Sequence, residues 1–235
     1  MKTIDWSGYT WLTKERWGRL HKDKPYCWYD PSAVQIGIDD RLVLKTHYNP
    51  KEFEEYNLRP KIGVGLISCT KEFGPGTFEI EAKLPYGKNL WPAFWLWSWD
   101  TWPPEIDIFE GYSKKHPNYS RFNWSKWWAP WHIDTNVHYK AAGRNKMIGP
   151  KSHYMGFKDP TKNFIKYKLE WNPKYLKFYY NGRMVRKIDD AVIMEQLNNT
   201  TMNVVINNHV TQDVTYSEIP ISNFVVKYFK YEKFN

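Results

Sequence analysis

The chain has 235 residues, a net charge of +9 and a mean hydropathy of −0.71, and 18% of its residues are aromatic. That length suits one all-β domain or two small ones, and so dense an aromatic content excludes a disordered chain. No apolar run approaches membrane-spanning length, so no membrane partner is expected.

No composition break, Gly/Ser linker or repeat divides the sequence, so residues 1–235 are read as a single domain. The N-terminal stretch MKTIDWSGYTW lacks the apolar core of a signal peptide. Cys27 and Cys69 permit at most one bridge and are read as two buried thiols. The seven histidines are scattered without ligand spacing, and His132–Asp134 (HID) is too weak to mark a metal site.

Taken in chain order, short β-rich runs bounded by turn residues recur throughout. Ala33–Tyr48 reads as two strands around a turn at Asp39-Asp40. Val64–Leu84 reads as two strands around Gly74-Pro75-Gly76. In Asn89–Trp99, Trp91, Trp95 and Trp97 share one parity, while Phe94 and Leu96 take the other. Asn136 and His138 share a face of the next run, Asn136–Lys140. Phe164–Trp171 alternates well, and Asn172-Pro173 turns the chain. Asn181-Gly182 between strand-like runs is a type I′ hairpin signal. Asp190–Leu197 is the best helix candidate. In Met202–Val210, Met202, Val204 and Ile206 can face a core, which turns Asn203, Val205, Asn207 and His209 outward toward a cleft. Asn223–Phe234 closes the set. Many short strands with few helices imply a β-sandwich.

The segment Trp102–Tyr112, WPPEIDIFEGY, sets three carboxylates among large apolar residues. Strict alternation puts Glu105 and Asp107 on one face but sends Glu110 into the apolar side, where an unpaired carboxylate is costly. One extra residue near Ile108 or Phe109, a β-bulge, returns Glu110 to the acid face and leaves three apolar residues for the core. Acids in line repel one another and are not called for by folding alone. Beside a strand carrying aromatics on one face, they suit a sugar: pyranose C–H faces stack on aromatic planes while the acids reach the glycosidic oxygen.

EIDIFE together with LWPAFWLW resembles the signature of glycoside hydrolase family 16, in its β-bulge branch, which includes laminarinases and other endo-β-1,3-glucanases, agarases, porphyranases and κ-carrageenases. Gly76–Trp97, Asn136–Lys140, Ile165–Val185 and Asn223–Lys233 fall in the family's usual order. The resemblance implies a jelly roll of two antiparallel sheets with a concave substrate cleft. It implies an endo-acting, retaining β-glycanase with Glu105 as nucleophile, Glu110 as general acid/base and Asp107 as the assisting acid between them. Trp91 and Trp95 resemble stacking residues on the glycone side, and Trp102, His138 and Asn207 are further substrate-binding candidates. Many members bind a structural calcium through an Asp near the C-terminus, where this chain has Lys227, so neither metal nor other cofactor is expected. A polysaccharide substrate implies an extracellular or periplasmic, monomeric protein.

Between Gly111 and Pro160, nine basic residues stand against two acids, with Trp124, Trp127, Trp128 and Trp131 among them. Such a stretch could be a solvated surface or a wall attracting an anionic chain such as a sulfated galactan or acidic exopolysaccharide. Single-stranded nucleic acid also favours basic residues with aromatics. No RNA-binding motif accompanies them and the adjacent acids would repel phosphates, so no nucleic-acid partner is expected. A laminarin-type β-glucan is the first choice of substrate, an anionic polysaccharide the second, and a non-catalytic lectin-like module the third.

Overall fold

The computed structural model describes residues 2–21, 26–87, 89–111, 132–156, 158–211 and 222–234. In chain order these residues form β1 (Thr3–Trp6), β2 (Tyr9–Leu12), β3 (Cys27–Tyr29), β4 (Val34–Ile36), β5 (Leu42–Leu44), β6 (Thr46–Tyr48), β7 (Ile62–Val64), β8 (Leu66–Phe73), β9 (Gly76–Lys83) and β10 (Leu90–Trp97). They continue through β11 (Glu105–Glu110), β12 (His132–Ala141), β13 (Arg144–Met147), β14 (Lys151–Tyr154), β15 (Ile165–Asn172), β16 (Tyr175–Tyr180), β17 (Arg183–Ile188), α1 (Ala191–Asn198), β18 (Met202–Val210) and β19 (Phe224–Lys233).

Two antiparallel sheets enclose the main core, as the short alternating runs predict. One runs β1-β2-β8-β18-β10-β11-β12-β13, with β14 also paired to β12, and the other runs β17-β16-β15-β9-β19-β5-β4. Alternation decides which residues fill the space between them. Phe78, Ile80 and Ala82 of β9 and Tyr167, Leu169 and Trp171 of β15 meet Phe94, Leu96, Val204 and Ile206 of the other sheet in one buried cluster. The Asn181-Gly182 turn joins β16 to β17 with both residues at positive φ, 48° and 79°, as a type I′ turn requires. Asp190 caps α1 by accepting from the amides of Val192 and Ile193.

Gly74-Pro75-Gly76 joins the two expected strands, β8 and β9, which do not pair with each other. β8 belongs to the first sheet and β9 to the second, so the chain crosses the sandwich there. Gly76 is needed for close approach: a Cβ on it would lie 2.6 Å from the Glu232 carbonyl oxygen.

A third sheet, β3-β7-β6, adds to the two that were expected, and its β3–β7 pair is parallel. Asp30 braces it, accepting from Ser32 Oγ at 2.7 Å and from the Asn49 amide, with His47 Nε2 at 2.8 Å. Cys27, Tyr29, Ile62, Val64 and Leu66 form a second core with Trp97 and Val205. Since Val204 and Ile206 point into the main core, Val205 points the opposite way, and the second core therefore lies on the cleft side of β18. This corrects the placement of Asn203 and Val205 in an open cleft: both are fully buried. Asn203 Nδ2 donates to the carbonyls of Cys69 and Lys71.

The bulge falls where the acids demand it. Asp107 is opposite Trp95 and Phe109 opposite Phe94, leaving Ile108 as the extra residue. On the other edge, Asp107 pairs with Asn136 and Glu110 with Asp134. Ile106, Ile108 and Phe109 are all fully buried. The Ile108 carbonyl accepts from Tyr180 Oη at 3.0 Å, a buried bond from the opposite sheet. Tyr180→Phe should cost about 1–3 kcal/mol by stranding that carbonyl; a urea midpoint equal to wild type would show that the bulge does not depend on it.

Cys27 and Cys69 are free and buried, as read from the sequence, and they lie in different cores. Burial pushes their thiols up to about 12 and about 11. Lys227 ion-pairs with Glu81 at 2.5 Å and lies over the Phe164 ring. An ammonium group in that place repels a divalent cation, so EDTA should leave the melting temperature unchanged; a drop reversed by calcium would reveal a structural metal elsewhere.

Candidate active site

The three carboxylates of β11 reach one cavity of about 650 Å³. Its floor is built from adjacent strands by the outward parity of each: Trp91, Ala93, Trp95 and Trp97 from β10, Asn136 and His138 from β12, and Asn207 and His209 from β18. Trp102, in the loop before β11, joins them. Every candidate site residue named from the sequence therefore lines the same cavity. Asp107 is buried, while Glu105 and Glu110 are partly accessible.

Cross-strand pairing sets the polar contacts around the acids. His138 is directly opposite Glu105, and its Nε2 lies 3.6 Å from Glu105 Oε1 and 3.7 Å from Asp107 Oδ2. Asn136, opposite Asp107, has its Nδ2 3.0 Å from the same ring nitrogen. Trp102 Nε1 donates to the other Glu105 oxygen at 2.7 Å. Trp102 thus holds one oxygen of Glu105, the His138 ring lies near the other, and Glu105 lines the cavity. Trp95 Nε1 donates to Asn207 Oδ1 at 2.7 Å, and Asn207 Nδ2 reaches the Trp91 carbonyl. These bonds tie the Trp95 indole and the Asn207 amide to the backbone of Trp91. Past Glu110 the chain turns at Gly111, φ 56°, where a Cβ would sit 2.8 Å from the Trp91 ring. Only glycine lets the strand leave so close to that indole.

Glu105, Asp107 and His138 offer ligand atoms within 4.8 Å of one another, which makes them a geometric match for a divalent cation among the described residues. The sequence carried no metal signal because the histidine comes from another strand.

The structure adds wall residues that no local pattern marked: Trp17, His21, Tyr29, Met147 and Pro150. It also adds Glu15, fully buried behind the wall. Burial pushes its carboxyl up to about 8, opposed by the Arg16 amide and aided by the nearby Glu105 charge. Of the basic segment, Lys140, Arg144, Lys146, Lys151 and Lys158 are exposed and none lines the cavity. Lys114, Lys115, Arg121, Lys126 and the four tryptophans from Trp124 to Trp131 lie outside the described residues.

The raised Glu15 carboxyl predicts a pH dependence. Its folded value lies above the unfolded 4.5, so the native state holds a proton that the unfolded state releases between those limits. Stability should therefore fall as pH rises from about 4.5 to about 8, by on the order of a few kcal/mol, then level off. Glu15→Gln should flatten this slope and melt higher than wild type at alkaline pH. Parallel melting curves for the two proteins across that range would refute the assignment.

A family model described as glycosyl hydrolases family 16 matches residues 22–219. The chain is 27% identical over 128 residues to an endo-1,3-1,4-beta-glycanase of Rhizobium meliloti, covering 53% of this chain and 24% of that protein. It is 29% identical over 153 residues to a beta-glucanase of Rhodothermus marinus, covering 61% and 46%. The chain thus spans less than half the length of either relative. The laminarinase catalytic domain from Thermotoga maritima superposes with a TM-score of 0.69 at 17% identity, covering 89% of this chain and 84% of that one. The fold is the same in the two proteins.

Proposed function

Since the chain belongs to glycosyl hydrolase family 16 and is a glycoside hydrolase, we propose that it cleaves internal β-1,3 bonds of a laminarin-type or mixed β-1,3-1,4-glucan, with retention of configuration. The observation that carries this reading is the bulged strand presenting Glu105, Asp107 and Glu110 to one aromatic cavity. Glycanase and glucanase are the activities named for the relatives above.

Retaining hydrolysis needs two carboxyl groups about 5–5.5 Å apart across the scissile bond. Glu105 attacks the anomeric carbon and Glu110 protonates the departing oxygen. Glu110 then takes a proton from the water that releases the sugar. The Trp102 N–H holds one oxygen of the nucleophile in place, so that little reorganisation is needed at attack, and the His138 ring lies near the other. Asp107, buried beside Glu105, shares the His138 contact and can share a proton with Glu105, holding it in position. Trp91 and Trp95 offer the planes on which sugar rings stack. The protein acts on its polysaccharide as a monomer outside the cytoplasm.

A reducing-sugar assay over a panel of neutral and sulfated polysaccharides tests the reading. Neutral β-1,3-glucan should be cut, and Glu105→Gln should lose at least about a thousandfold in rate while still binding. Near-normal hydrolysis by that variant would remove Glu105 from the role. The exposed basic residues off the cavity favour a neutral chain. Screening acts over about 8 Å at 0.15 M salt, so KM for the best substrate should stay flat as sodium chloride is raised. A several-fold rise would favour an anionic substrate instead.

A further inference from the structure

Parity turns Trp97 toward the cavity together with Trp91 and Trp95, and register sets it directly opposite Glu105. A third indole plane is therefore expected beside the nucleophile, yet Trp97 is only 7% exposed. One of the groups that cover it is Trp17, whose ring centroid lies 4.9 Å away. Trp17 sits in a tight turn, Glu15 to Gly18, closed by reciprocal bonds. The Glu15 amide donates to the Gly18 carbonyl at 3.1 Å, and the Gly18 amide donates to the Glu15 carbonyl at 3.0 Å. Arg16 Nη1 donates to the Trp99 carbonyl at 2.6 Å, and its guanidinium lies over the Trp99 ring, so the turn is tied to the chain just past β10. The His21 ring meets the Trp17 ring edge to face at 5.5 Å. Held on these sides, Trp17 still lines the cavity and is 41% exposed.

On the glycanase reading above, we propose that Trp17 is a substrate-binding residue: a pyranose ring of the glucan stacks on its indole at the Glu105 end of the acid row. Trp17 takes the part that parity assigns to Trp97. Trp97 is one strand spacing, about 4.8 Å, from Glu105 and carries Trp17 on its ring, so Trp17 stands on the nucleophile's side of the cavity. Trp91 stands at the other end of the row, against Gly111, which follows Glu110. Trp95 lies between them, opposite Asp107. The aromatic surface therefore accompanies the acids along the whole of β11. Covering Trp97 needs only an apolar side chain. An indole left 41% open inside a cavity does more, since it offers the flat apolar face that sugar C–H groups cover. Trp17 precedes residue 22, where the family match begins, so that match gives it no role.

The test uses the full chain carrying Glu105→Gln, so that a β-1,3-linked glucohexaose is bound but not cut. With fluorotryptophan incorporated, the Trp17 fluorine resonance is the one that Trp17→Phe removes, and it should shift as the hexaose is added. By calorimetry, Trp17→Leu, which keeps an apolar cover on Trp97 but has no ring, should bind the hexaose about tenfold more weakly. Trp17→Phe, which restores a ring, should bind within about threefold of the parent. Should Trp17→Leu fail to fold, the resonance shift decides alone. A Trp17 resonance that stays put at saturation, or undiminished binding by folded Trp17→Leu, would overturn the inference while leaving the glucanase reading intact. No binding by Glu105→Gln, together with no hydrolysis of β-1,3-glucan by wild type, would sink the glucanase reading and this inference with it.

Discussion

The site depends on one surplus residue, Ile108. Without it, Glu110 would enter the main core and a large apolar side chain would take its place beside Glu105 and Asp107. The surplus residue leaves a gap in the ladder, and Tyr180 from the opposite sheet fills it at the Ile108 carbonyl. The bulge is thus braced from the core side, while the acids it aligns face the cavity. Phe109 then settles beside Phe94 and Tyr167, with ring centroids 6.4 Å and 4.5 Å away. The same backbone irregularity serves the chemistry on one face and the packing on the other.

The cleft face of the large sheet is divided between two uses. Around β10, β11 and β12 it is a surface for a ligand. Around β18 and β8 it is the base of a second hydrophobic core. Trp97 belongs to both, since it lines the cavity and packs in the second core. Glu15 sits where these regions meet. A carboxyl there is tolerated because it keeps its proton, so no bare charge is placed in an apolar setting next to Glu105.

Much of this was legible in the sequence because the signals were local. The E-x-D-x-x-E spacing gave the bulge, parity placed Trp91, Trp95, Asn207 and His138 on the cavity side, and Asn181-Gly182 and Asp190 marked a hairpin and a helix start. What was missed depends on contacts far apart in the chain. Parity shows that Val205 points away from the main core, but not that Tyr29 and Leu66 cover it. Gly74-Pro75-Gly76 marks a turn between two strands, but a turn signal does not say whether those strands will pair. Trp17, His21 and Glu15 lie in an irregular segment where periodicity is silent.

The layering around β18 also bears on how the protein is made. Cys27 Sγ meets His209 Nε2 at 3.3 Å although 182 positions separate them. Both hydrophobic cores close onto a strand that is made after β1 to β17. Until Met202–Val210 emerges, β8 and β10 have no neighbour between them, and Tyr29, Leu66 and Phe94 are only partly covered. Contacts of such long range form slowly, and the open edges of β8 and β10 can pair with other chains meanwhile. The nascent chain is therefore sticky and incomplete until β18 is made.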